Sequence, residues 1–289
     1  MANLLYPKKQ TIAFSNALFR LYEFARATTD DDVVFDLSET KTFTPLGIIL
    51  LTTTIKECLL RKKKCYYIEP TDKTLTAFLT KVGFHKHFNL DKYGAPPNFT
   101  IASGHVQLQR CEEIDGSLIE KLIEIVDYHL RISPGLKGSL QMSLLEMMTN
   151  VVDHSGVRDY YVCCHNYPEK KQIRLCMADM GMGIPTSLRK VYKGRKTDRE
   201  LIVMATEEGI TTRPNKGGLG LAHIKKFLKV NKGQLCIISG SGKVFWKFDQ
   251  GKVLAQNMKT TYKGTIVKMV INTDKEAFYF LSTENDYLF

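Results

Sequence analysis

An amphipathic segment at residues 139–154 has apolar positions that recur at helical spacing. Its leucine, methionine and valine side chains would form a buried face, because residues three and four apart lie on the same side of a helix. Glu146, Asn150 and His154 are spaced four apart, so they project from one edge of that helix. The pattern predicts a core helix that carries a row of three polar groups.

Two glycine-rich turns follow this helix. The first comes after residues 172–178, which alternate in polarity and then become apolar, and it contains Asp179, Gly181 and Gly183. This pattern predicts a strand that ends in a core, with glycines that let the backbone turn sharply and approach a flat ligand. A turn of the same composition that binds nothing is the alternative explanation.

The second glycine-rich turn, at residues 217–221, leads directly into an amphipathic run that predicts a helix. Glycines at the start of a helix leave backbone N–H groups and the positive end of the helix dipole available to phosphate oxygens. The turn is not a Walker loop, because no Gly-Lys-Ser or Gly-Lys-Thr follows it. We therefore expect a phosphate-binding turn of another kind.

The sequence after the second glycine-rich turn predicts further strands. Residues 234–238 and 244–248 are predicted strands on either side of a hairpin turn, and residues 264–271 are the last predicted strand.

In the first hundred residues the predicted order of elements is βαβα. Its predicted elements are strands at residues 31–37 and 64–68 and helices that begin near residues 47 and 74.

Length and composition agree with two domains. The chain has 289 residues, enough to bury two cores of ordinary size. Residues 89–104 break both periodicities and are the predicted junction. No run approaches the ~20 apolar residues of a membrane span, and the first residues lack a signal-peptide layout, so we expect a cytoplasmic protein with no membrane partner.

The net charge of +11 leaves nucleic-acid binding open, although no motif supports it. The densest basic run, residues 61–64, falls between a predicted helix and a predicted strand, where a solvated turn is the usual explanation.

The seven cysteines lack paired zinc-site spacing and are expected to be reduced core residues. His85 and His87 are more typical of a surface than of a metal site.

The helix and the two turns, in this order and spacing, resemble the GHKL superfamily of ATP-binding domains across residues 105–272. A carboxylate on the helix edge can polarise a water, and an amide oxygen can complete the shell of a Mg²⁺ ion that keeps most of its waters. The resemblance implies that Glu146 is the general base and that Asn150 is the magnesium ligand. It also implies that Asp179 accepts a hydrogen bond from the adenine amino group.

The same resemblance implies roles for the other residues of a nucleotide site. Gly181 and Gly183 would shape the floor of the base pocket. The lid corresponds to residues 186–216, where Arg213 and Lys216 would approach the terminal phosphate, although solvated cations of a loop explain these two equally well. The remaining nucleotide-binding set is His154, Gly218, Leu219, Gly220, Leu221 and Thr265.

The first half resembles a STAS domain, the fold of the anti-sigma-factor antagonists, in residues 35–38 and 43–47. Domains of that kind carry a phosphorylatable Ser or Thr ahead of a helix, and the matching position here is Pro45, which has no hydroxyl group. Thr42 and Thr44 are the nearby alternatives. A small α/β packing domain without chemistry explains the first half equally well.

We therefore expect an α/β protein with a STAS-like domain at residues 1–100 and a GHKL domain at residues 101–289. The latter would be a Bergerat α/β sandwich with a mixed sheet and helices on one face. The predicted function is a Mg²⁺-dependent ATPase that acts as a nucleotide-controlled switch. A serine/threonine kinase of the anti-sigma-factor type and an ATP-gated scaffold without turnover are the alternatives. A protein partner would bind through the STAS-like domain or the lid, and a homodimer is left open.

Overall fold

The computed structural model describes residues 2–5, 14–84, 105–154, 159–212, 218–273 and 277–281. The chain divides into two compact units, Met1–Asn98 with Gln107–Gln109, and Phe99–Val106 with Arg110–Phe289. This division lies close to the predicted domain boundary after residue 100. The predicted junction at residues 89–104, together with His85 and His87, lies outside the described residues.

The first unit contains a three-stranded parallel sheet and helices that connect its strands. Each strand pair is parallel, which requires a crossover connection. The predicted βαβα order is confirmed from β2 to α3. The elements are β1 (Ala2–Leu5), α1 (Phe14–Ala27), β2 (Asp32–Asp36), α2 (Pro45–Leu60), β3 (Lys64–Ile68) and α3 (Lys73–Lys81).

The start of α2 lies at the segment that resembles a STAS domain. The Gly47 N–H donates to Thr44 Oγ1 at 3.1 Å, so Thr44 caps the helix. Pro45 occupies the first helical position, where a missing N–H group costs nothing. The hydroxyl of Thr44, the residue before Pro45, therefore has a structural role as the helix cap.

The second unit is built on a five-stranded sheet with the strand order β4-β6-β7-β9-β8. A short additional pair joins β5 to β10. The elements are β4 (His105–Cys111), α4 (Gly116–His129), β5 (Arg131–Ile132), α5 (Pro134–His154), β6 (Tyr160–Tyr167), β7 (Gln172–Asp179), α6 (Ile184–Val191), α7 (Asp198–Ala205), α8 (Gly220–Val230), β8 (Gln234–Lys247), β9 (Lys252–Asn272) and β10 (Phe278–Tyr279).

This sheet is antiparallel, whereas we expected a mixed sheet. The short connection between β6 and β7 explains part of the difference. Only a 3-10 turn at Pro168–Lys170 and the left-handed residue Lys171 separate the two strands, and a parallel pair would need a crossover of a dozen or more residues. The mixed α/β class itself is confirmed.

The core of the second unit lies between the sheet and the helices α4, α5 and α8. Alternate residues of β7, Ile173 and Leu175, belong to the same buried cluster as Leu144 of α5 and Phe227 of α8. This alternation follows from the period of two along a strand, which sends every second side chain to one face. The predicted helix at residues 139–154 is therefore confirmed as a core helix.

Strand β8 folds back on itself at the predicted hairpin turn. Its register against β9 shifts on both sides of Gly240, and Gly240 has a φ of 59°. The Phe248 N–H donates to the Gly233 carbonyl at 3.1 Å, so the two ends of the β8 segment lie side by side. The chain thus reverses at Gly240–Gly242, where glycine accepts the left-handed backbone.

The segment expected to be a lid loop contains two helices, α6 and α7. Thr197 and Glu200 form a capping box at the start of α7. Asp198 accepts from the Ser241 N–H at 2.7 Å and pairs with Arg189 at 2.6 Å, which links the start of α7 to α6 and to the β8 turn. Three of the charged residues that suggested a loop, Arg189, Asp198 and Glu200, therefore cap α7 or connect it to its neighbours.

None of the helices in the described part of the chain combines the length and apolar character that a membrane crossing needs.

A stability test follows from the contact between the end of α8 and the end of β9. The buried Asn231 side chain accepts from the Asn272 N–H at 2.7 Å and donates to the Asn272 carbonyl at 2.9 Å. Asn231→Ala removes both bonds, so we expect the free energy of unfolding to fall by about 2–3 kcal/mol in urea titrations. The exposed Gln256→Ala is the control and should change it by less than about 0.5 kcal/mol. Equal values for the two variants would contradict this account.

Candidate functional site

A single cleft in the second unit brings the three sequence motifs together. Its empty volume is about 960 Å³, counted out to the solvent at its mouth, which is at the upper end of the range for small-molecule sites. The wall includes parts of α5, the end of β7, the start of α8 and β9. The predicted site residues that line it are Glu146, Asn150, Asp179, Gly183, Gly218, Leu221 and Thr265.

Asp179 is a buried acid at the end of β7, with 6% of its surface exposed. Burial raises the pKa of this carboxyl to about 6, and hydrogen bonds from the backbone N–H groups of Gly181 and Thr265 limit the rise. The bond from Gly181 to Oδ1 measures 2.8 Å. At neutral pH the carboxyl is therefore mainly ionised, and it lines the cleft as a hydrogen-bond acceptor.

The turn after Asp179 packs directly against β9. Gly183 has a φ of 77°, and a Cβ there would lie 2.8 Å from the Gly264 carbonyl oxygen. Gly264 has a φ of 106°, and a Cβ on it would collide with the Asp179 carbonyl group. Both positions therefore require glycine, for the left-handed backbone and for the close approach. The predicted need for glycine is confirmed at Gly183.

Ser239 fixes this turn, a role that was not predicted from the sequence. It is fully buried; its hydroxyl donates to the Gly264 carbonyl at 2.7 Å and accepts from the Ile184 N–H at 2.9 Å. The Ser239 side chain therefore joins the start of α6 to β9 beneath the cleft. The sequence offered only a serine in a hairpin turn, which does not distinguish a buried connector from a surface residue.

The Glu146 carboxylate binds the N-terminus of α8. Oε1 accepts from the Gly218 N–H at 2.7 Å, and Oε2 accepts from the N–H groups of Leu219 at 3.3 Å and Gly220 at 2.7 Å. These are the N–H groups that we expected to bind phosphate. The carboxylate oxygens thus stand where an anion would bind, so the expected base and the expected phosphate-binding turn are hydrogen-bonded to each other.

The turn between α7 and α8 is held close to Gly218. The Lys225 ammonium pairs with Glu207 at 2.7 Å and donates to Thr206 Oγ1 at 3.1 Å. The Gly209 N–H donates to the Gly218 carbonyl at 3.3 Å. The segment before residues 213–217 is therefore bonded to the segment after them in two ways. One bond joins Gly209 to Gly218, and the others join Glu207 and Thr206 to Lys225 of α8.

The remaining predicted residues have different outcomes. Asn150 is exposed and lines the cleft, four residues beyond Glu146 on α5. His154 is the last residue of α5, and its side chain is outside the described part of the chain, as are Arg213 and Lys216 entirely. The predicted roles of these last three residues therefore stay predictions.

Helices α6 and α7 add an apolar wall that the sequence analysis did not predict. Leu188 of α6 and Ala205 of α7 line the cleft, as do Met182 and the pair Thr211 and Thr212 before the undescribed segment. The start of a short helix was expected at Pro185, where α6 begins, whereas α7 was missed because its residues were interpreted as part of a lid loop. The methionine and leucine side chains give one part of the cleft a surface that suits a flat apolar ring.

Comparisons with known proteins add no assignment. No protein-family model matches the chain, and a search of curated proteins found no similar sequence. Within the described residues, no group of three or more His, Cys, Asp or Glu side chains has the arrangement of a metal site.

The raised pKa of Asp179 predicts a pH-dependent stability. As the pH rises from about 4 to about 7, the unfolded chain loses this proton before the folded protein does, so ionisation favours unfolding. Relative to Asp179→Asn, we expect the wild type to lose about 2 kcal/mol of unfolding free energy over this interval. Urea titrations of both proteins at several pH values measure the difference. A difference that is independent of pH would show that Asp179 does not titrate as described.

Proposed function

We propose that this protein is an ATP-binding protein of the GHKL type, in which a STAS-like domain precedes a Bergerat-fold domain. The observation that carries the proposal is the convergence of a buried carboxylate, a helix N-terminus and a polar helix edge on one cleft. These groups come from parts of the chain that are far apart in sequence, and each suits a different part of an adenine nucleotide. Their convergence on one cleft favours nucleotide binding over the alternative that the glycine-rich turns bind nothing.

The adenine ring is assigned to the end of the cleft at Asp179. An ionised carboxylate accepts a hydrogen bond from an exocyclic amino group, and its burial protects this bond from competition by water. Leu188 and Met182 supply apolar surface in the same cleft. The geometry thus favours a base that presents an amino group to the carboxylate.

The phosphates are assigned to the N-terminus of α8. The N–H groups of Gly218, Leu219 and Gly220 already hold an anionic group, the Glu146 carboxylate, in this structure. An anion at this position is also favoured by the helix dipole. Charge and geometry therefore support phosphate binding at the same N–H groups.

The residues present fit a Mg²⁺ ion that is held mainly by phosphates and water. Asn150 lines the cleft and offers one amide oxygen, a ligand type that this hard cation accepts. When bound, the ion would neutralise charge on the phosphates. Asn150 would hold and orient it, and Glu146 on the same helix edge would take the proton of the attacking group.

The proposed activity is ATP hydrolysis coupled to a conformational change. The lid segment, residues 186–216, would transmit nucleotide state to a protein partner or to the STAS-like unit. Transfer of the phosphoryl group to a protein hydroxyl needs the same base and metal. A turnover measurement must therefore decide whether water or a protein hydroxyl accepts the phosphoryl group.

A binding measurement tests the adenine assignment. Asp179→Ala removes the acceptor for the amino group, so we expect the ATP affinity to fall about ten- to hundredfold in calorimetric titrations. The matched control is Asp249→Ala, which removes an exposed carboxylate outside the cleft and should leave the affinity unchanged. Unchanged affinity in a folded Asp179→Ala protein would exclude this assignment.

A turnover measurement tests the role of Glu146. With γ-labelled ATP and Mg²⁺, we expect the wild type to release free phosphate and Glu146→Gln to lower kcat about 10²–10⁴-fold at saturating ATP. Labelled protein in place of free phosphate would indicate the kinase, and unchanged nucleotide would indicate the scaffold. Equal kcat values for the wild type and Glu146→Gln would remove Glu146 from the mechanism.

A further inference from the structure

The Glu146 carboxylate and a bound phosphate group would need the same three N–H groups. Both carboxylate oxygens are engaged, with distances of 2.7 Å to the N–H groups of Gly218 and Gly220. A backbone N–H donates one strong hydrogen bond, so it cannot serve two anions at full strength. Two negative groups at one helix terminus also repel each other. Occupation by the carboxylate therefore excludes the phosphate.

This contact differs from an ordinary helix cap. Leu219 at the N-cap position of α8 makes no side-chain hydrogen bond, and the capping oxygens come instead from a different helix, α5. A local serine or aspartate would cap the helix permanently. A glutamate that reaches across from α5 can leave when the side chain rotates, and then the N–H groups of α8 become available.

The backbone at Gly218 and Gly220 is closely packed beside the contact. A Cβ on Gly220 would lie only 3.1 Å from Oε2 of Glu146, and a Cβ on Gly218 would lie 2.6 Å from the Ile210 carbonyl oxygen. The backbone of this turn therefore touches Glu146 on one side and residue 210 on the other. A phosphate group can reach the three N–H groups only after the carboxylate has moved away.

We propose that Glu146 is an internal latch that occupies the phosphate position of the ligand-free protein and is displaced by the phosphates of the nucleotide. The proposal rests on the proposed function and adds a regulatory step to it. Rotation out of the α8 terminus leaves the carboxylate on the same edge of α5 as Asn150. Nucleotide binding and release of the base are thus one event, and ligands without phosphates leave the latch closed.

The test compares ligands with and without phosphates on Glu146→Gln, which keeps the shape of the side chain and removes its charge. We expect the affinities for ADP and for inorganic pyrophosphate to rise about tenfold or more over the wild type, because the competing anion is gone. The affinity for adenosine should stay within about twofold. Glu124→Gln, an exposed position of α4, is the matched control and should change none of the three.

Amide hydrogen exchange in the ligand-free protein tests the latch independently of any nucleotide. The N–H groups of Gly218 and Gly220 should exchange more slowly in the wild type than in Glu146→Gln. Equal exchange rates in the two proteins, or an unchanged affinity of Glu146→Gln for ADP and pyrophosphate, would overturn the latch. A wild type that binds neither adenosine nor ADP would instead contradict the proposed function, while the exchange rates would still decide the latch.

A measurement on the wild type covers the case in which Glu146→Gln fails to fold. The carboxyl-carbon resonance of Glu146 reports the environment of the carboxylate. Saturating pyrophosphate should shift this resonance as the carboxylate leaves the three N–H groups. An unchanged resonance, with or without pyrophosphate binding at another site, would overturn the proposal.

Discussion

The antiparallel pairing of β7 with β9 is the constraint on which the cleft depends. It extends from Gln172 and Asn272 to Ala178 and Ile266, so the end of β7 lies beside the Gly264–Thr265 segment. The backbones approach so closely there that Gly264 has no room for a side chain. Because of this approach, Asp179 is buried and accepts hydrogen bonds from the Gly181 N–H of the following turn and the Thr265 N–H of β9. Its raised pKa is a consequence of that packing.

The helix edge and the two glycine turns could be predicted because their constraints are local. Helical spacing aligned Glu146 with Asn150, and the alternation of β7 located Asp179 at a strand end. Gly183 and Gly218 are in left-handed conformations that few other residues adopt, so their identity carries structural information by itself. Local periodicity and backbone chemistry were sufficient for these features.

The features that the sequence analysis missed depend on contacts between distant segments. Helices α6 and α7 are stabilised by the Asp198 bonds to Ser241 and Arg189, which a charge-rich composition does not reveal. The direction of each strand pair and the buried bonds of Ser239 also involve partners far away in the chain. The contact of Glu146 with α8 joins residues more than seventy positions apart. Two candidate functional elements of the sequence, a base and a phosphate-binding turn, are thus bonded to each other.

The central claim is that this cleft binds an adenine nucleotide with its phosphates at the N-terminus of α8. A crystal structure of the protein with Mg²⁺ and a non-hydrolysable ATP analogue measures this most directly. We expect the adenine amino group within hydrogen-bond distance of Asp179, the phosphates on the N–H groups of Gly218 and Gly220, and the Glu146 carboxylate turned away from them. An analogue bound outside the cleft, or phosphates bound while Glu146 still holds those N–H groups, would contradict the account.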